Sequence, residues 1–250
     1  MNKNTQVNAA IIIIGNEILS GRTQDTNTST IALWLNSLGV KVQEVRVIPD
    51  IEDVIVNTIS KVRKINNYVF TTGGIGPTHD DITAKSISKA FNVKYEVNKE
   101  AYKILENYYK PGEFNEGRQK MAWTPSNAKL ILNPTSGAPG FIIDNVYCLP
   151  GVPSILKSML GGLKNVISGG KPIISHTINL RTVESEIAKS LTTVQGNNKD
   201  VEIGSYPFFR AGKLGVAIVI RSVEQSKIDI CNAQILDFVN QKNIQIIINE

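Results

Sequence analysis

Two adjacent aspartates, Asp80 and Asp81, end a segment whose glycines, Gly73, Gly74 and Gly76, suit phosphate chemistry. Without a Cβ, a glycine lets backbone N–H groups approach an anion closely. Two carboxylates beside a phosphate repel it unless a cation lies between them. The segment therefore predicts a phosphate site with a divalent metal, most simply Mg²⁺, held by Asp80 and Asp81.

The flanking residues show which elements position this segment. Residues 68–70 are apolar and predict a short buried strand, and residues 82–91 repeat apolar side chains at the helical period. The segment would then join the carboxyl end of a strand to the amino end of a helix, where unpaired N–H groups favour phosphate. The alternative is structural: the glycines form a tight turn, and Asp80 or Asp81 caps the helix.

Two further acidic residues are candidates for the chemistry. Glu17 lies in a polar loop at 15–27, directly after an apolar run at 9–14 that predicts a central parallel strand, and it has no obvious packing role there. Asp50 precedes a predicted helix at 51–65, so an N-cap explains it as well as chemistry does. Either acid would orient the attacking water or assist the metal. His79 is either a phosphate contact or an exposed loop residue.

The first 170 residues alternate predicted strands with predicted helices. We expect strands at 9–14, 40–48, 68–70, 93–97, 129–132, 141–143 and 146–149, and helices at 28–38, 51–65, 82–91, 98–109, 115–122 and 155–167. In helix 28–38, Leu33 is expected to face inward with its apolar neighbours. This order predicts an α/β fold, a three-layer, open, mostly parallel sheet with its site at the carboxyl edge.

Residues 168–172 form the best linker candidate, because they are rich in glycine and end in proline. We therefore predict two domains, residues 1–170 and 171–250. In the second, the order is strand 173–180, helix 183–194, strands 201–205 and 214–222, helix 227–241 and strand 244–248. This is the βαββαβ order of the split βαβ arrangement, a small α+β domain.

Composition narrows the class of protein. The chain is 42% hydrophobic and 20% charged, and no apolar run near its start is long enough to span a membrane. The first eight residues lack the layout of a signal peptide, so we expect a cytoplasmic protein without membrane partners. The net charge of +5 is spread thinly, which favours anionic metabolites over nucleic acid. Cys148 and Cys231 lie in apolar contexts and predict core packing.

Four loop motifs together resemble one family. They are Gly15-Asn16-Glu17-Ile18-Leu19 with its continuation to Asn27, the segment from Gly73 to Thr83, Gly137-Ala138-Pro139-Gly140, and Leu149-Pro150-Gly151-Val152-Pro153. In order and spacing, residues 9–167 resemble the CinA-like family and the amino-terminal domain of eukaryotic FAD synthase, both of the molybdopterin-binding-like superfamily. The tail resembles the small domain that follows in CinA-like proteins.

The resemblance implies a metal-dependent pyrophosphatase. Such an enzyme splits a nucleotide diphosphate, such as ADP-ribose or FAD, between its two phosphates and releases AMP. The acids that match Asp81 and Asp50 are important in the superfamily, and the cation would be Mg²⁺, Mn²⁺ or Co²⁺. Position 16 is Asn16 where many relatives have Asp, so Glu17 takes over as the acidic contributor. A homo-oligomer is expected by analogy.

We predict Asp80, Asp81, Glu17 and Asp50 as catalytic residues, the first two as metal ligands. The predicted substrate-binding residues are Gly73, Gly74, Gly76, Thr78, Thr26, Asn27, Ser136, Gly137, Pro150, Gly151 and Pro153. Helix capping by residues 25–27 and plain turn geometry at the prolines and glycines are the structural alternatives. Arg118 and Lys120 would meet phosphate or line a solvated helix face.

Two other functions remain open. The first is a molybdopterin-binding protein or adenylyltransferase of molybdenum-cofactor biosynthesis, which would bind a pterin. The second is a non-catalytic nucleotide-binding module, which the Asn at position 16 keeps open.

Overall fold

The computed structural model describes residues 6–210 and 212–247, and the chain divides into two compact units, residues 1–170 and 171–250. Throughout these described residues, no helix is both long enough and apolar enough to cross a bilayer.

The first unit alternates strands with helices along most of its length. Its strands are β1 (Asn8–Ile14), β2 (Lys41–Ile48), β3 (Tyr68–Thr72), β4 (Tyr95–Val97), β5 (Trp123–Pro125), β6 (Lys129–Ile131), β7 (Gly140–Ile143) and β8 (Val146–Leu149). Its helices are α1 (Asn16–Leu19), α2 (Asn27–Ser37), α3 (Glu52–Val62), α4 (Thr83–Ala90), α5 (Lys99–Tyr108), α6 (Glu116–Lys120) and α7 (Pro153–Leu160), followed by a 3₁₀ turn at Gly161–Leu163.

Six of these strands form one mixed sheet in the order β2-β1-β3-β8-β7-β6. The pairs β1–β2, β1–β3 and β3–β8 are parallel, whereas β8–β7 and β7–β6 are antiparallel. Strands β4 and β5 pair separately as a two-stranded antiparallel ribbon. The predicted open, mostly parallel α/β sheet is confirmed.

The central strand β1 explains why its sequence is apolar without alternation. Its odd-numbered residues pack with Ile31 and Leu35 of α2 and Leu156 of α7. Its even-numbered residues pack with Ile55 of α3 and Ile87 of α4 on the other face. Burying one such isoleucine stabilises the fold by about 1.5–3 kcal/mol. The sheet therefore lies between two helical layers.

Several boundaries differ from the sequence expectations. The polar loop at 15–27 contains the short helix α1, and β5 was not predicted. Helix α3 begins at Glu52 and leaves Ile51 exposed, and Leu33 on α2 is 71% exposed instead of facing inward. Helix α7 begins two residues earlier than expected, because Pro153 occupies its first turn, where a missing N–H is harmless.

The second unit has the predicted βαββαβ order. Its elements are β9 (Ile174–Leu180), α8 (Glu184–Asn197), β10 (Glu202–Arg210), β11 (Lys213–Ser222), α9 (Gln225–Gln241) and β12 (Ile246–Ile247). The antiparallel sheet has the order β10-β11-β9-β12, which is the split βαβ arrangement. Strand β10 continues to Arg210, five residues past the expected end, and position 248 lies outside the described residues.

Candidate functional site

Four parallel strands deliver their carboxyl ends to one edge of the sheet, and a cleft of about 580 Å³ lies there. This volume suits a small-molecule ligand. Residues that follow β1, β2, β3 and β8 line the cleft, as expected where ligands bind open α/β sheets. The predicted residues in its lining are Glu17, Asp50, Gly73, Gly74, Gly76, Thr78, Asp80, Asp81, Ser136, Pro150, Gly151 and Pro153.

The glycine segment after β3 follows a path that side chains would block. Gly73 has φ +102°, and a Cβ there would lie 2.1 Å from the carbonyl oxygen of Ile14. Gly74 has φ +67°, and a Cβ there would lie 2.2 Å from the hydroxyl of Thr83. That hydroxyl donates to the carbonyl oxygen of Gly73 at 3.0 Å, which ties the segment to the start of α4. The two glycines are therefore required by geometry as well as by φ.

The segment presents backbone donors to the cleft. Within residues 6–210 and 212–247, the N–H groups of Gly74, Ile75 and Gly76 have no hydrogen-bond acceptor. These three residues line the cleft and are partly exposed, so their N–H groups are available to a ligand. Consecutive unpaired N–H groups ahead of a helix form an anion site.

Asp81 organises its own loop. Its Oδ2 accepts hydrogen bonds from the backbone N–H of Thr78 at 2.8 Å and from the Thr78 hydroxyl at 2.5 Å. A Cβ at Gly76 would lie 2.7 Å from the same oxygen. Among the described residues, no side chain caps α4, so neither aspartate has the capping role that was the structural alternative. Asp81 lines the cleft, and among the described residues its Oδ1 accepts no hydrogen bond.

Asp80 is the more exposed of the pair. The nearby Thr78 hydroxyl lowers the pKa of Asp80, and so do its own backbone N–H, His79 and Lys120. The Thr78 hydroxyl donates its single proton to Asp81 Oδ2 at 2.5 Å, so it is not a hydrogen-bond donor to Asp80 in this arrangement. Asp80 is therefore ionised near neutral pH and free to contact a cation or ligand.

Asp50 reaches the cleft from the end of β2. Its Oδ2 accepts a hydrogen bond from the backbone N–H of Asn16 at 2.8 Å, at the first residue of α1. The N-cap residue of α3 is Ile51, so the expectation that Asp50 caps that helix is wrong. Burial raises the pKa of Asp50, the Asn16 bond opposes this, and the charges of Glu17 and Asp80 raise it further. Three acids therefore share one side of the cleft.

Glu17 folds back on its own strand end. A Cβ at Gly15 would lie 2.5 Å from Oε1 of Glu17. The glycine at position 15 therefore leaves room for the Glu17 carboxylate. The N–H of Gly15 donates to the carbonyl oxygen of Ile48 at 3.2 Å, which holds the ends of β1 and β2 together. This explains how Glu17 and Asp50, 33 positions apart in the sequence, come within electrostatic reach.

These acids do not form a preassembled metal centre. In the described part of the chain, no three His, Cys, Asp or Glu side chains lie close enough to hold an ion on their own. Magnesium commonly takes only one or two carboxylates and completes its shell with phosphate oxygens and water. The charges of Glu17 and Asp80 both raise the pKa of Asp50, and a cation beside Asp50 would offset this repulsion.

The predicted residues Thr26 and Asn27 lie in a smaller cavity of about 60 Å³ beside the cleft. Asn27 is 6% exposed, and its amide nitrogen donates to the hydroxyl of Thr72 at 3.0 Å and to the carbonyl oxygen of Gly151 at 2.8 Å. Asp25 Oδ1 accepts from the N–H groups of Asn27 and Thr28 at the start of α2. Asn27 thus joins three loops and helps shape the site.

The opposite wall comes from the loop before β7. Asn133 holds this loop, because its amide donates to the Ser136 hydroxyl at 2.7 Å and the Ala138 carbonyl at 2.9 Å. Gly137 is outside the cleft lining: it has φ +75°, and a Cβ there would lie 2.5 Å from the Tyr108 ring. Its role in the structure is to let that ring pack on the loop.

Sequence reasoning missed two lining residues, Asn133 and Met121, which line the cleft. Lys120, a candidate phosphate contact from the sequence, lines a small adjoining cavity. Lys120 donates from Nζ to the carbonyl oxygen of Thr78, which ties α6 to the glycine segment. The Asn-x-x-Ser spacing at 133–136 was a usable signal, because an Asn side chain often caps a turn two or three residues on.

The remaining candidates are peripheral to the cleft. His79 is exposed and its Nδ1 lies 4.0 Å from Asp80 Oδ1. Arg118 stacks over the Tyr109 ring and donates to the Glu113 carbonyl, so it is held within its own loop.

Two family models match this chain, one over each of its two units. The family model described as "Probable molybdopterin binding domain" matches residues 10–176, and the one described as "FAD synthase, middle domain" matches residues 172–246.

Individual relatives agree with these matches. A protein from Archaeoglobus fulgidus is 36% identical over 79% of this chain and 84% of its own length. A protein from Sulfolobus acidocaldarius is 38% identical over 72% of each chain. A crystal structure of the protein CinA with unknown function from Thermoplasma acidophilum superposes with a TM-score of 0.60 at 32% identity, covering 64% of this chain and 98% of that one.

Residues 10–176 contain all of the six-stranded sheet except the first two residues of β1, and they contain the four acids of the cleft. The resemblance to CinA-like proteins predicted from the loop motifs is confirmed, and the chain belongs to the family of molybdopterin-binding domains.

Proposed function

We propose that the first unit hydrolyses the bond between the two phosphates of a nucleotide diphosphate such as ADP-ribose or FAD. With ADP-ribose and water the products would be AMP and ribose 5-phosphate, and with FAD and water they would be AMP and FMN. The observation that carries the proposal is that one cleft combines unpaired N–H groups with four carboxylates, of which Asp50 has its pKa raised by burial and by the charges of Glu17 and Asp80.

The glycine segment would bind the phosphate under attack. The N–H groups of Gly74, Ile75 and Gly76, which line the cleft, would donate to the phosphate, and such donors stabilise charge that grows during the reaction. Their positions are fixed before substrate arrives, because Gly73 and Gly74 are held against Ile14 and Thr83. Little reorganisation would then be needed in the transition state.

Asp50 would accept a proton from the attacking water, and Glu17 would orient that water. Asp50 Oδ2 is engaged by Asn16, which leaves Oδ1 as the proton acceptor. Because the pKa of Asp50 is raised, this carboxylate is a stronger base than an ordinary aspartate. Glu17, on the same side of the cleft, would orient the water.

The donor set also fits a divalent cation, which the acids would share with the substrate. Asp80 and Asp81, the latter through Oδ1, would hold it, with Asp50 or Glu17 beside them. Mg²⁺, Mn²⁺ or Co²⁺ would supply Lewis acidity toward the phosphates and offset the charge of the carboxylates. Lys120, on the far side of the segment, adds a fixed positive charge near Asp80.

Incubation of the purified protein with ADP-ribose, FAD or NAD, each with Mg²⁺, Mn²⁺ or Co²⁺, tests the proposal. We expect AMP to accumulate with at least one combination and to vanish when a chelator removes the cation. Absence of AMP above the background of an Asp50→Ala variant in every combination would remove the hydrolase from consideration.

A second candidate is binding or adenylylation of a pterin phosphate, and the family match over residues 10–176 favours it. The same cleft would then transfer the AMP group of ATP to the phosphate of the pterin and release pyrophosphate. Incubation with labelled ATP and a pterin phosphate distinguishes adenylyl transfer from hydrolysis. Transfer of the labelled AMP group incorporates the label into the pterin product, whereas hydrolysis does not. Tight binding of either ligand without turnover would instead identify a non-catalytic nucleotide-binding module.

A further inference from the structure

Strand β2 ends the six-stranded sheet with an open edge. It pairs with β1 on one side, and among the described residues no strand pairs with its other side. Its backbone N–H and C=O groups on that side are a ready template for another strand. After a register shift near Gln43, residues Glu44–Ile48 pair regularly with β1.

The side chains of this edge are apolar on one face. Val45 and Val47 are 44% and 40% exposed, although they pair with Ile11 and Ile13 of the buried central strand. Helix α2 packs on the same face and leaves Leu33 71% exposed. The two exposed valines leave apolar surface uncovered at the edge of the sheet.

The other face of the edge carries opposite charges two residues apart. Glu44 and Arg46 form an ion pair at 2.7 Å within the strand, and both side chains remain partly exposed. In an antiparallel pair of β2 strands with Val45 at the two-fold axis, Glu44 of each strand would lie opposite Arg46 of the other. A two-fold axis at Glu44 or Arg46 would place like charges opposite each other, which destabilises a pair.

We propose that a second copy of this chain docks along β2, antiparallel and with Val45 at the two-fold axis, so that two sheets join into one. The strand is self-complementary in charge only in this register, which is why the partner is a second copy. Such an isologous contact closes on itself and does not propagate. The inference is independent of the proposed catalytic function.

Charge reversal tests both the partner and the register. Glu44→Arg gives a strand with two positive charges, and Arg46→Glu gives one with two negative charges. Each variant alone would place like charges opposite each other twice, and we expect its dimer dissociation constant to rise by about tenfold or more. Mixed in equal amounts, the two variants would place opposite charges together and form a heterodimer.

Sedimentation equilibrium over a dilution series measures these masses against the 27.4 kDa of one chain. Glu106→Arg and Lys103→Glu, exposed changes on α5, are matched controls that should dimerise like the wild type. Circular dichroism establishes that each variant is folded. A monomeric wild type, or single variants that dimerise like the controls, would overturn the proposal.

A cross-link gives a second readout that does not depend on charge. Val45→Cys places two thiols at the two-fold axis, and oxidation should produce a covalent dimer that a reductant reverses. Asn57→Cys, an exposed position on α3, should remain monomeric under the same conditions. Equal cross-linking at both positions would contradict the register.

Discussion

The side-chain amide of Asn27 donates a hydrogen bond to the carbonyl oxygen of Gly151 at 2.8 Å, joining the start of α2 to the loop after β8. The same nitrogen donates to Thr72 at the end of β3, and Thr72 donates to the Pro150 carbonyl at 2.9 Å. One buried side chain therefore connects the start of α2 with the ends of β3 and β8 beside the cleft. Its role is to position the site.

Asn27→Ala should lower the free energy of unfolding by about 2 kcal/mol, because it removes two buried hydrogen bonds and leaves a carbonyl unpaired. Urea unfolding measures the change. Asn36→Ala on the same helix is the matched control, since Asn36 makes no side-chain hydrogen bond within the described residues. Equal destabilisation of the two variants would refute the positioning role.

Gly73→Ala should be far more damaging than Gly21→Ala. Both glycines have positive φ, at +102° and +72°, so each substitution strains the backbone by about 1–2 kcal/mol. At Gly73 the new Cβ would also meet the Ile14 carbonyl, whereas at Gly21 nothing lies within 4 Å. We expect Gly73→Ala to cost at least about 2 kcal/mol more in urea unfolding. Similar losses in the free energy of unfolding for the two variants would mean that the glycine segment can move to accommodate the new Cβ.

Lys120→Met should weaken binding of an anionic substrate without unfolding the protein. The variant loses the contact with the Thr78 carbonyl and a positive charge near Asp80. Under the proposed function we expect KM to rise by about tenfold, which corresponds to about 1.4 kcal/mol, with a smaller change in kcat. Lys110→Met, on an exposed residue just after α5, is the control. Unchanged KM in Lys120→Met would exclude a role in binding.

The Cys148 thiol should resist labelling until the protein unfolds. Burial raises the pKa of Cys148 to about 12, so at pH 8 the thiolate fraction is on the order of one in ten thousand. Since the unfolded chain loses this proton near its ordinary value of 9.0, the stability that burial of the neutral thiol gives is complete below pH 9.0 and is lost as the pH rises toward 12. A Cys231→Ala background isolates the signal. Rapid native labelling of Cys148 at pH 8 would contradict this.

The central part of the fold could be predicted from sequence because its signals are local and strong. Unbroken apolar runs gave β1 and β3, since both faces of each strand are covered by helices. The glycine segment was recognisable because Gly73 and Gly74 adopt φ values that side chains rarely allow. Each of these features is determined by residues that lie close to it in the sequence.

Other features depend on contacts between distant residues and were therefore not predicted. Asp50 stands where a cap for α3 is expected, yet its carboxylate accepts from Asn16, 34 residues away. Strand β5 has only three residues and exists because it pairs with β4. Asn27 looked like a ligand contact, and only the tertiary structure shows its bonds to Thr72 and Gly151.

The most direct test of the proposed chemistry is the rate of AMP release from ADP-ribose or FAD by Asp80→Asn and by Asp53→Asn. Both changes remove one exposed carboxylate, but Asp80 lines the cleft and Asp53 lies outside it, beside Lys89. We expect Asp80→Asn to lose roughly 100-fold or more in kcat and Asp53→Asn to keep the wild-type rate. Equal rates in both variants and the wild type would contradict a catalytic acid cluster in this cleft.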